Sequence, residues 1–153
     1  MEGLGDLTSH LERLKESFLW AAARGGREEE CESLLEMGAD VNWTHQNGDS
    51  VLIAACKAGH SQVALLLITM GADVDAADAG GQTALHVAAN RGDDDLAVLL
   101  VQSGASMDAA DGSGKGAIAI ADDRGHERLS AKLRSMQRRA DARVPLDEVE
   151  AEE

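Results

Sequence analysis

His86 invites a catalytic reading, because cysteines and aspartates that could serve as its partners occur elsewhere in the chain. Nucleophilic catalysis needs a nucleophile, a base within hydrogen-bond reach and a third group that orients the base. No spacing around His86 supplies that set. The run Gly112-Ser113-Gly114-Lys115-Gly116 has the outline of a phosphate-cradling loop. Such a loop follows a buried strand, opens a helix and ends in a Ser or Thr that holds magnesium. Here Gly116 stands at that last position, and no apolar strand precedes. Asp93-Asp94-Asp95 and Glu28-Glu29-Glu30 are the candidates for a divalent cation. Calcium loops place ligands at alternate positions with a later Glu. These runs read instead as acidic helix starts, where carboxylates complement the helix dipole. Cys31 and Cys56 are isolated, with neither metal-ligand spacing nor a basic neighbour to lower a thiol pKa. The sequence therefore points to no enzyme, no metal and no cofactor, and the surface must carry the function.

Composition bounds what that surface can bind. The 153 residues carry 28 acids and 14 bases, a net charge of −14, and only 2% aromatics. That field repels phosphate backbones, and few rings are present to stack bases, so nucleic acid is an unfavourable partner. Residues 124–143 depart from the trend with seven bases and two acids. No apolar run is long enough to suggest a membrane span or a leader. The unpaired cysteines suit a reducing intracellular setting, cytoplasmic or nuclear.

The elements that position these residues follow from an internal repeat. Gly38-Ala39-Asp40 recurs as Gly71-Ala72-Asp73 and as Gly104-Ala105-Ser106, 33 residues apart each time. Gly48, Gly81 and Gly114 keep the same interval, as do Gly26, Gly59, Gly92 and Gly125. Each unit reads as two short helices. The first starts near Ser17, Ser50, Thr83 or Gly116 and is rich in alanine. The second carries Leu34-Leu35, Leu67-Ile68 or Leu100-Val101 and stops at a glycine suited to a left-handed cap. One such unit cannot bury its own apolar face, but a stack can. The expected organisation is an N-terminal capping helix or arm (1–11), four units (12–44, 45–77, 78–110 and 111–143) and an acidic, disordered tail (144–153). Ser9 and Glu12 have capping-box spacing, which suggests a helix start within the arm.

Asp78, Gly81, Thr83, Leu85, His86, Ala88, Ala89, Gly92 and Gly104 make the third unit resemble the ankyrin repeat. The resemblance covers about residues 14–136. It implies an all-α solenoid of helix-turn-helix units with projecting turns. It also implies that His86 bonds turn backbone and that Cys31 and Cys56 fill core positions. The proline of the family's T-P-L-H turn is replaced by Phe18, Val51, Ala84 and Ala117, so less rigid helix starts are expected. Polar Asp122, Ser130 and Arg134 in the fourth unit suit the end of a finite stack.

The resemblance further implies binding through turn tips and first helices. Carried over position by position, that face comprises Arg24, Trp43, Gln46, Asn47, Asp49, Lys57, Gln82, Asn90, Arg91, Lys115 and Arg124. Arg24, Lys57, Arg91 and Arg124 recur about once per unit. They are either a basic stripe that steers an acidic segment of a partner or cations on a solvated face. Trp43 is either an interface anchor or packs on His45, and Trp20 reads as core or cap packing. Leu65 and Val98 offer an alternative apolar patch on the outer helices. Asn42 sits where asparaginyl hydroxylases modify related repeats. His126 to Arg143 reads as the last outer helix with a basic solvated extension.

The function expected is a non-catalytic protein-protein interaction module, an adaptor or regulatory subunit, that is a monomer when unbound. Two alternatives stand beside it. One is a stoichiometric inhibitor, since Phe18-Leu19-Trp20-Ala21 and Asp40-Val41-Asn42 resemble the start of myotrophin. The other is a structural subunit held by its outer helices.

Overall fold

The structure is a computed structural model. It describes residues 2–142, with side chains from Leu7 onward; the acidic tail of 144–153 lies outside the described residues. Eight helices follow in chain order: α1 (Glu2–Arg24), α2 (Glu28–Glu36), α3 (Val51–Ala58), α4 (Ser61–Thr69), α5 (Ala84–Arg91), α6 (Asp94–Gln102), α7 (Ala117–Asp123) and α8 (Glu127–Asp141). No strand occurs among the described residues, only an isolated bridge between Thr44 and Ser50. The fold is all-α. Consecutive helices pair, and the inner row α1, α3, α5, α7 packs neighbour on neighbour, with α2, α4 and α6 as an outer row.

Small residues set the spacing of the inner row. Ala22, Ala23, Ala55, Ala88, Ala89 and Ala121 are buried at the helix contacts. Leu19, Leu52, Leu67, Leu85, Leu96, Leu100, Leu129 and Leu133 fill the space between rows, each at most 1% exposed. Burying each such side chain contributes roughly 1.5–3 kcal/mol. The core runs unbroken from Leu19 to Leu133, so no helix pair needs a core of its own.

Side-chain caps stand in for the missing prolines on two inner helices. The Ser50 hydroxyl accepts the Ile53 N–H at 3.1 Å and starts α3. The Thr83 N–H donates to His86 Nδ1 at 2.9 Å and starts α5. Gly116 before α7 offers no side-chain cap, and α7 is the shortest helix, with seven residues. α3 ends at Gly59 in the left-handed region (φ 81°), which glycine enters without strain.

α1 differs from the expected boundary. It is continuous from Glu2 to Arg24, so no helix starts near Ser17, and Ser9 and Glu12 lie inside a helix and form no capping box. Leu7, Leu11, Leu14 and Phe18 carry one helical stripe straight through Ser9, and Glu12 pairs instead with Lys15 at 2.9 Å. At the opposite end Ser130 is buried. Its hydroxyl donates to Asp122 and accepts from Arg134, which also pairs with Asp122. This polar triad closes the last helix pair. The Ser130 and Arg134 hydrogen bonds hold the Asp122 carboxyl below its usual range.

Candidate partner-binding surface

The turns between helix pairs are built alike. The N–H of His45, Asp78 and Asp111 donates to the carbonyl of Asp49, Gln82 and Lys115 respectively, each at 2.9 Å. The Asp78 carboxylate accepts from the Gly80 and Gln82 N–H groups, and that of Asp111 from Ser113 and Lys115. Successive turns touch: the Gly112 N–H donates to the Gly80 carbonyl at 2.8 Å. Gly81 (φ 79°) must be glycine, since a Cβ there would lie 2.8 Å from Gly112 N. The turns therefore form one edge beside the inner helices, the second and third tied by that hydrogen bond.

Between that edge and the inner helices runs a groove. Its first part, about 260 Å³, is lined by Trp20, Arg24, Asn47, Asp49 and Lys57. It continues past Lys57 into a second part of about 260 Å³ lined by Gln82, Asn90 and Arg91. Gln82 and Asn90 lead into a third, about 200 Å³, with Lys115, Asp123 and Arg124. Nine of the eleven residues expected on the binding face line this groove. Trp43 and Gln46 do not. Trp43 is half-buried against the core, with an edge-on contact to His45 at 5.9 Å, and Gln46 is exposed at its turn.

The cations of the groove are not equivalent. Lys57 Nζ lies 2.8 Å from Asp49 and 3.3 Å from Asp78, whose carboxylates are 11% and 10% exposed. Burial works against the Lys57 ammonium, but the two aspartates outweigh it and raise its pKa. Burial likewise opposes the Asp78 carboxylate, yet its backbone and Lys57 hydrogen bonds lower its pKa overall. Arg91 donates to the Lys57 carbonyl at 2.9 Å and closes the end of α3. Arg24 lies over the Trp20 ring at 4.7 Å, and Trp20 stacks on His45 at 3.9 Å. Lys115 pairs with Asp123, which raises the Lys115 pKa. Of these cations, Arg24 and Arg124 make no side-chain hydrogen bond or ion pair among the described residues.

The Asp49–Lys57 and Lys115–Asp123 pairs were not expected from the sequence, yet it carries their signal. Positions 49, 82 and 115 are one register, and 57, 90 and 123 another. The pairs read Asp–Lys, Gln–Asn, Lys–Asp, a charge reversal that marks contact between turn and helix. Asp78 could not be found in that way, because it reaches Lys57 from the following turn.

The remaining candidates fall into place individually. His86 is buried; because Nδ1 accepts from Thr83, the ring proton sits on Nε2 and donates to the Lys115 carbonyl at 3.1 Å. Both ring nitrogens are thus engaged with backbone. Gly112 to Gly116 forms a turn between helix pairs. Burial pushes the Cys31 thiol up to about 11 and the Cys56 thiol up to about 12. Asn42 accepts the Asp73 N–H at 2.7 Å and so tethers the next turn. Leu65 is 43% exposed on α4, while Val98 is half-buried on α6. Among the described residues no His, Cys, Asp and Glu group could hold a metal ion, and no helix is long and apolar enough to cross a membrane.

The family model for ankyrin repeats matches three copies over residues 16–111. The chain belongs to the ankyrin repeat family. Ankyrin repeats are in general protein-protein interaction modules. No curated protein matches the chain.

Proposed function

We propose that this ankyrin protein is a non-catalytic adaptor or regulatory subunit that holds an extended segment of a protein partner along the concave groove. The observation that carries this reading is the row of three adjoining pockets from Trp20 to Arg124, joined by the shared lining residues Lys57, Gln82 and Asn90. A rigid, pre-formed surface keeps the ordering cost of binding low. The α7–α8 pair acts as a fourth unit that lengthens this surface beyond the three matched copies. An acidic segment of the partner meets Arg24 at one end and Arg124 at the other. Lys57 and Arg91 serve the groove mainly by holding its shape. The partner is met in a reducing compartment, by a protein that is monomeric when unbound. Asn42 is a candidate hydroxylation substrate of the module.

Affinity purification with the full chain beside Arg24→Glu/Arg124→Glu tests the reading. Both side chains are exposed and neither is ion-paired among the described residues, so a thermal melt of the variant should match the parent. The groove reading expects a dominant protein partner that the double variant loses. Equal recovery by both proteins would count against it. Leu65, exposed on the outer row, supports a second reading in which the protein is a subunit of an assembly. Recovery lost through Leu65→Glu instead would favour that one.

A further inference from the structure

The two ends of the stack are finished differently. The C-terminal end is closed by the Asp122–Ser130–Arg134 triad and by exposed Arg128, Lys132, Arg138 and Arg139. The N-terminal end is open. Leu7, Leu11 and Phe18 are 58%, 54% and 58% exposed. With half-buried Leu14 they follow one another at intervals of four, three and four residues. That alternation keeps them on one stripe of α1 and is the seam that a second helix packs against. Beside the stripe, Phe18, Leu34 and Met37 line a groove of about 420 Å³ between α1 and α2. Met37 is 61% exposed. The stripe is held in place rather than free to fold away. Lys15 donates to the Met37 carbonyl at 3.3 Å, and Glu16 accepts the Asp40 N–H at 2.8 Å.

Charge selects the occupant. Residues 2–42 carry ten acids and four bases, net −6. Glu29 and Glu30 line the groove itself beside Arg27, which pairs with Glu30 at 3.1 Å, and among the described residues Glu29 has no ion pair. A second copy docked face to face would bring the same acidic face against itself, and one docked head to tail would offer basic α8, whose Leu129 and Leu133 are already buried in its own stack. An anionic lipid surface is disfavoured by the same acidic charge. We propose that this end face docks a basic amphipathic helix of a partner protein. Its apolar side lies along Leu7, Leu11 and Phe18 and enters the Phe18–Met37 groove, and its cations meet Glu29 and Glu30. This surface is separate from the concave groove, so the two readings stand or fall independently.

The probe is a labelled 18-residue peptide with leucine at the seam positions and lysine elsewhere, beside a counterpart with glutamate in place of lysine. Binding to the full chain is followed by fluorescence anisotropy, and the oligomeric state by sedimentation. The expected result is saturable one-to-one binding of the lysine peptide only, to a monomer. Phe18→Glu/Met37→Glu should weaken it about tenfold or more, although the variant is more negative, and Leu65→Glu should leave it unchanged. Should the first variant melt early, Leu7→Glu/Leu11→Glu makes the same test on the other half of the stripe. Unchanged or tighter binding by these variants would reduce the interaction to bulk charge and overturn the proposal. A parent dimer that they dissociate would also overturn it, by making a second copy the occupant.

Discussion

Lys57→Met should destabilise the fold even though Lys57 is 42% exposed. The substitution keeps an unbranched stem on α3 and removes the charge between Asp49 and Asp78. Those carboxylates are 11% and 10% exposed, so water can compensate them only in part. Breaking a fully buried pair costs roughly 3–5 kcal/mol, and an exposed pair is worth about 0–1 kcal/mol. Lys57 is nearly half exposed, and Asp78 keeps its Gly80 and Gln82 N–H donors. The expected loss is therefore intermediate, about 1–3 kcal/mol. For a chain of this size that is a fall in Tm of roughly 2–12 °C. Arg124→Met, with no ion pair to lose among the described residues, should change stability by less than about 0.5 kcal/mol.

The pH dependence has a defined sign. The Asp78 pKa is lowered from 3.8, so its contribution is present above that value and is lost as pH falls through the lowered one. The Lys57 pKa is raised from 10.5, so its contribution is present below that value and is lost as pH rises through the raised one. The gap between parent and variant should therefore be full between about pH 4 and 10, and should narrow only beyond both ends. Urea melts across that range read it directly. Asp49→Asn in the Lys57→Met background should recover part of the loss, because it removes one of the two stranded charges. If Lys57→Met melts with the parent at neutral pH, the clamp is decoration and the assignment of Lys57 to groove shape is wrong.

Other consequences follow from the same packing. Gly81→Ala should cost about 1–2 kcal/mol or more by urea melt, because a Cβ must enter the left-handed region against Gly112. Ser130→Ala should cost about 0.5–1.5 kcal/mol and should cost less when Asp122→Asn is already present, since both belong to one network. Cys31 and Cys56 should resist a thiol reagent at pH 8 and react only with unfolding. Burial pushes their pKa values up to about 11 and about 12; rapid labelling of the native protein would contradict that.

Much of the fold was legible because its determinants are local and periodic. Glycines at a constant interval end the helices, Ser50 and Thr83 start them, and alanine-leucine alternation gives the buried faces. The residues of the groove came from the resemblance to the ankyrin repeat, and nine of the eleven carried over line it. The start of α1 departs from the repeat, which places it near Ser17, because the helix runs on from Glu2 without a break at Ser9 or Ser17. The leucine stripe that carries it through Ser9 is equally visible in the sequence.

The sequence by itself thus determined the repeat, the helix pairs and most of the residues on the face between the turns and the inner helices. What it did not determine is which charges on that face neutralise one another. Lys57 meets Asp78 from 21 residues away, and Arg91 reaches the Lys57 carbonyl across 34. Nor did it determine that the stack would leave Phe18 and Met37 uncovered. Periodicity fixes the direction in which a side chain points. Its partner depends on the separation of neighbouring helix pairs to within about an ångström, and only the packed tertiary structure sets that distance.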